Sequence, residues 1–143
     1  MTHTVLKAAM IASAVALGAC SSMPDWMPGS GATKVSLTGA EEVPAVKTEA
    51  KGSGSFRIAN DGAVSGSVTT TGIKGTMAHI HLAAKGANGP VIVPLTKNGD
   101  TYAVPEGRKL TPEQMKAFKD GRLYVNVHSV AHKGGEIRAQ LQP

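Results

Sequence analysis

The sequence predicts an all-β domain, an antiparallel sandwich or Greek-key barrel with one short helix. Three observations lead there. Residues 34–143 are rich in Val, Thr and Gly, their apolar residues recur at every second position in short runs, and Gly/Asn/Asp turn signals separate those runs.

"KVSLTG", from Lys34 to Gly39, alternates and reads as a first strand. "GSGSFRIANDGAVSGSVTTTG" holds two strands around a tight turn at Asn60, Asp61 and Gly62, residue types that tolerate positive φ. Phe56 and Ile58 share a face in its first arm, Val64 and Val68 in its second. "TMAHIHLA" is the next strand; a loop "AKGANGP" leads from it into the strand "VIVPLT". "KNGDTYAV" supplies a second hairpin turn at Asn98-Gly99. In "LTPEQMKAFKDG" Thr111 is the N-cap, Pro112 the first helical residue, Gln114 the partner of a capping box and Gly121 the stop. Met115 and Phe118 share one side of that helix and pack it over an end of the sheet. "RLYVNVHS" and "GEIRAQL" complete seven or eight strands.

Ahead of the domain, Lys7 is followed by "AAMIASAVALGAC", an apolar run too short to span a bilayer and remain there. We read residues 1–19 as a signal peptide. "LGAC", Leu17 to Cys20, resembles a bacterial lipobox, a resemblance that implies a lipidated Cys20 as the mature N-terminus. The reading also accounts for the cysteine count, since one cysteine cannot form an internal disulfide. Ser21 in place of Asp, by resemblance to enterobacterial sorting, favours the outer membrane. The expected location is the periplasmic face of the bacterial envelope, with the lipid anchor as the only membrane contact. Residues 20–33, rich in Ser, Gly and Pro, form a flexible tether. Trp26 within it either touches the membrane interface or sits idle.

Loss of residues 1–19 removes Lys7 alone, taking the formal charge from +5 to +4. The basic residues are scattered, and the aromatic residues of the domain are Phe56, Tyr102, Phe118 and Tyr124. Without a basic helix or a stacking platform, nucleic acid is excluded as a partner. There is no nucleophile elbow, no cysteine in the domain and no phosphate-binding glycine pattern opening a helix. Glu41 and Glu42 are adjacent and point apart, so they are no acid/base pair.

Strand parity then sorts the histidines. Ala78, Ile80 and Leu82 form one face of their strand; Met77, His79 and His81 form the other. In "RLYVNVHS" the aliphatic row is Leu123, Val125 and Val127, opposite Tyr124, Asn126 and His128. In "GEIRAQL" it is Ile137, Ala139 and Leu141, opposite Glu136, Arg138 and Gln140. The aliphatic rows belong to the core, and the polar rows are expected to face water.

If these strands are neighbours, His79, His81 and His128 converge. Two residues apart on a strand is about 7 Å at Cα, short enough for both rings to reach one ion. Three imidazoles suit copper or zinc with a position left open. His132 is a candidate fourth ligand, and Glu136 a candidate acceptor for an imidazole N–H. Tyr124 and Asn126, in the row of His128, flank the ligands. Met77 shares the histidine face, either as a soft axial ligand for copper or simply as a surface methionine. An H-x-H pair by itself is equally at home on any wet strand face; His128 at matching parity makes it a site.

"LTGAEEVPAVKTEAKGSGSFRI", "MAHIHLAAKGANGPVIVPL" and "LTPEQMKAFKDGRLYVNVHSVAHKGGEIRAQL" together resemble the chordin-type (CHRD) domain over Lys34 to Leu141. The resemblance implies an immunoglobulin-like β-sandwich and puts His79, His81, His128, Glu136 and Arg138 on motif positions of the family. One departure is His132-Lys133 before Gly134, where many relatives carry proline. A second likeness is mechanistic. Copper-zinc superoxide dismutases, also Greek-key proteins, hold copper with an H-x-H strand and further histidines and attract the anion with an arginine. Here Arg138 would steer superoxide, and the enzyme would be copper-only. Three functions fit this set: a copper-dependent superoxide dismutase, a non-catalytic copper-binding or buffering protein, and a metal-free module that recognises a protein or the cell wall.

Overall fold

The computed structural model describes residues 31–143; the expected signal peptide, Cys20 and Trp26 lie outside the described residues. Nine strands occur among those described: β1 (Thr33–Thr38), β2 (Lys51–Ile58), β3 (Val64–Thr71), β4 (Gly75–Leu82), β5 (Val91–Pro94), β6 (Thr96–Asn98), β7 (Thr101–Ala103), β8 (Leu123–Ser129) and β9 (Ile137–Leu141). A single 3-10 turn, Gly39–Glu41, follows β1, and the helix α1 spans Pro112–Lys119. No helix among the described residues is long and apolar enough to cross a membrane.

The strands form one antiparallel sheet in the order β5-β4-β8-β9-β1-β2-β3-β7-β6. It curls until the Leu95 N–H reaches the Ala78 carbonyl at 3.0 Å, which brings the β5–β6 link against β4 and nearly closes the sheet. The all-β antiparallel expectation is met, with its two layers continuous with each other. They join at a corner where β1 pairs with β9 only through Thr38 and Arg138, while β1 pairs with β2 along its whole length.

Alternation accounts for the core. Leu37, Phe56, Val68, Ala78, Ile80, Leu123, Val125, Val127, Ile137 and Leu141 point inward and are buried. Each large aliphatic removed from water contributes about 1.5–3 kcal/mol. The β2–β3 hairpin turns at Gly62, whose φ of 84° suits glycine. Asp61 fixes it by accepting from the Ala63 N–H at 3.0 Å and from Lys109 Nζ at 2.7 Å.

The ninth strand arises where "VIVPLT" divides. β5 pairs with β4, whereas β6 pairs with β7, and the chain changes partner at Pro94 and Leu95. Helix α1 has the expected capping box: Thr111 Oγ1 accepts from Gln114 N at 3.2 Å, and Gln114 Oε1 accepts from Thr111 N at 2.9 Å. Ala117 is its buried residue, with Met115 and Phe118 partly covered against the core.

One expectation fails. The polar faces of β4, β8 and β9 do not look into water along their length, and all seven residues of β8 are buried. Three connections, residues 39–50, 83–90 and 130–136, lie across that face as a roof.

Candidate metal centre

The roof is tied down by polar contacts. Asn88 Nδ2 donates to the Val43 carbonyl at 2.7 Å, joining two of its loops. Gln140 Nε2 donates to the carbonyls of Ala83 at 2.9 Å and Gly121 at 2.8 Å. Two glycines let the loops approach this closely. A Cβ at Gly89 would strike the Leu82 carbonyl, and one at Gly135, where φ is 128°, would strike Glu42 Oε1 and Asn126 Nδ2.

Beneath the roof the register brings the histidines together. His79 sits opposite Asn126, His81 opposite Tyr124 and Met77 opposite His128. The three rings form a triangle, with the His128 centroid 4.9 Å from that of His79 and 6.0 Å from that of His81, and those two 5.5 Å apart. One ligand nitrogen from each of the three lies within 4.8 Å of the others.

Backbone carbonyls fix the tautomers. A carbonyl can only accept, so His81 Nδ1 donates to Gly89 O at 2.9 Å and His128 Nδ1 donates to Lys133 O at 2.9 Å. Both rings therefore present a bare Nε2. His128 Nε2 accepts from His79 Nδ1 at 3.1 Å. Two nitrogens bound at about 2.0–2.1 Å to one ion stand about 3 Å apart when the angle between them is near 100°. His81 Nε2 is buried and has no hydrogen-bond partner among the described residues. An orphaned lone pair in a buried site is costly unless something fills it. Burial, and then the neighbouring His128 and His81, push the His79 pKa down to about 4. Burial is also the main cause lowering that of His81, with Gly89 and Asn126 opposing it and His128 and Arg138 adding to it. Both rings are thus neutral near pH 7, the form that binds metal.

Residues 33–141 match the family model described as the CHRD domain. The chain belongs to the CHRD-domain family. No curated protein and no solved structure matches it.

The remaining predicted residues of the CHRD domain take other parts. His132 is not among the three that converge; its ring lines a separate depression with Glu42, Val43 and Asn88, and its backbone closes the turn after β8. Glu136 orients no imidazole. It accepts from Ser129 Oγ at 2.5 Å and from Thr48 Oγ1 at 2.7 Å, which pins a roof loop to the sheet. The orienting groups are the carbonyls of Gly89 and Lys133.

Arg138 is 1% exposed, so the surface from which it was to steer an anion is absent. Its guanidinium donates to Asn88 Oδ1 at 3.3 Å, Ala84 O at 3.4 Å and Gln140 Oε1 at 3.4 Å. It also lies over the Tyr124 ring, with Cζ 3.4 Å from the centroid. The same ring stacks on His81 at 4.7 Å and 5°. One face cannot hold both groups, so Tyr124 separates the guanidinium from the imidazole. Asn126 lies beside Glu42 and donates to Gly134 O at 3.4 Å.

Glu42, Asn88 and Gly89 had no assigned part at the sequence level. Glu42 is buried over Asn126; burial raises its pKa, and the positive charge of Arg138 opposes that shift.

Proposed function

We propose that the chain is an exported copper-binding lipoprotein. In this reading Cys20 carries the lipid and holds the domain at the periplasmic face of the outer membrane. His79, His81 and His128 hold the copper. The observation that carries the metal reading is His81 Nε2, buried and unpartnered, on a ring that has one nitrogen within 4.8 Å of ligand nitrogens of His79 and His128. Copper is preferred to zinc because an all-nitrogen set binds Cu(II) more tightly at comparable geometry. Bound there, copper would supply one-electron chemistry, while the protein's part is to hold neutral imidazoles in fixed orientations under a roof.

Dismutation of superoxide is the second reading, and it is favoured by access. His79 is only partly buried, and Lys133 is the cation lining the cleft beside His128. One superoxide would give up an electron and leave as dioxygen; a second would take an electron and two protons and leave as hydrogen peroxide. Lys133 replaces Arg138 as the group that draws the anion in.

The test is a titration of the purified metal-free protein with Cu(II) and Zn(II), beside a variant carrying His79→Ala, His81→Ala and His128→Ala. Tight one-to-one copper binding, lost in the variant, is expected. Equal, weak binding by both proteins sinks the metal reading and leaves the interaction module. A superoxide assay on the copper form separates enzyme from carrier. For the anchor, Cys20→Ser should release the protein from the membrane fraction and abolish incorporation of labelled palmitate.

A further inference from the structure

We infer that Met77 is the fourth donor of this site, its thioether making a three-imidazole cluster prefer Cu(I). The inference rests on the copper reading above and names the oxidation state the site favours.

Placement comes first. Met77 is directly opposite His128 in the β4–β8 register and is the residue before His79 on the same face. Directly opposed residues have Cβ atoms about 4.5–5.5 Å apart, and same-face neighbours along a strand are about 7 Å apart. A methionine, unbranched with three rotatable bonds, spans those distances.

Packing comes second. Met77 is 49% exposed, whereas His81 and His128 on the same polar face are buried. With His128, Val130 and Lys133 it lines a cleft of about 290 Å³. It is not among the residues packed against the hydrophobic core, and an exposed, unbranched side chain is free to change rotamer. A plain surface methionine would be exposed too, but need not share a cleft wall with a ligand.

Charge comes third. The donors are three imidazoles and a thioether, all neutral, and no carboxylate lines the cleft. Glu136 is engaged by Ser129 and Thr48. The Arg138 guanidinium stands behind Tyr124. Neutral donors compensate a divalent ion less well than a monovalent one. A sulfur ligand selects the soft monovalent ion for its own reasons.

The test is an anaerobic competition of the whole protein against a chromogenic Cu(I) chelator, with Met77→Leu as the variant. Leucine at this exposed position keeps volume and leaves the fold intact. Cu(I) affinity should fall at least tenfold, while Cu(II) and Zn(II) affinities stay within about twofold. X-ray absorption of the Cu(I) form should show a sulfur scatterer in the parent that the variant lacks. Equal Cu(I) affinities, or no sulfur in the parent, overturn the role of Met77 while leaving the copper site standing. Failure of the parent to bind copper in either oxidation state overturns both readings.

Discussion

Replacing Arg138 with alanine separates the two roles that residue has been given. The guanidinium is 1% exposed and makes three hydrogen bonds of 3.3–3.4 Å besides its contact with the Tyr124 ring. A desolvated cation–π contact is worth about 2 kcal/mol. Hydrogen bonds to a charged group contribute about 1.5–3 kcal/mol each, and the length of these places them at or below the low end. Truncation also strips the acceptors Asn88 Oδ1 and Ala84 O of their partner and takes a positive charge from beside buried Glu42. Against that stands the relief of a desolvated cation. The net loss should be about 3–5 kcal/mol. At about 4 °C per kcal/mol for a domain of this size, the midpoint should fall by about 12–20 °C. Circular dichroism melts of parent and variant, both metal-free, measure it. A steering arginine would leave the melt alone and change only the salt dependence of a rate. A midpoint within about 2 °C of the parent would therefore refute a structural role for Arg138.

Four further outcomes follow from the same structure. Because His79 is neutral down to about pH 4, its protonation should not compete with copper between pH 7.5 and about pH 5.5, so His79→Ala should leave the shape of the affinity–pH curve unchanged over that window while lowering affinity throughout. An unperturbed ligand histidine would show a steep loss beginning near pH 6.5. The same shift makes metal-free stability full above about pH 6.5 and diminishes it as pH falls toward about 4, since the unfolded chain takes up a proton that folded His79 refuses. Urea midpoints across that window check the sign. Thr111→Ala removes the acceptor for Gln114 N and should cost about 1 kcal/mol, read from the same urea curves, with no change in copper affinity. Asn88→Ala unties residues 83–90 from Val43 and should weaken copper binding about tenfold at unchanged stoichiometry, by isothermal titration.

The rows of the core were legible because they depend only on alternation. Leu123, Val125, Val127, Ile137 and Leu141 could be placed without knowing any neighbour, and so could the capping box at Thr111 and the turn at Gly62. The triad was legible for the same reason: parity put His79, His81 and His128 on one face, and pairing of β4 with β8 did the rest. The roof was not, because strand periodicity says nothing of where a connection travels. One signal was present. Residues 39–50 join β1 to β2, strands that pair directly with each other, although a hairpin needs only a few residues. A connection of that length has to lie over something. It lies over Asn126 and Arg138, which is why a row that alternation assigns to water is dry.

That dryness connects the loops to the metal. In the open face expected from alternation, water would hydrate each imidazole and its orientation would be a matter of rotamer preference. Under the roof, His81 and His128 are held by carbonyls from two different loops, Gly89 from residues 83–90 and Lys133 from residues 130–136. Asn88, next to Gly89, bonds both the first roof loop and Arg138, and Arg138 lies on the same Tyr124 ring that stacks on His81. Loop position, the buried guanidinium and ligand orientation therefore form one packed unit. A change far from the nitrogens, at Asn88 or Arg138, should reach the metal by moving the carbonyl that aims His81. The Lys133 carbonyl belongs to that unit, but the side chains of Met77 and Lys133 line the cleft beside His128. They are the places where the chain can retune what the site accepts without disturbing the layer that builds it.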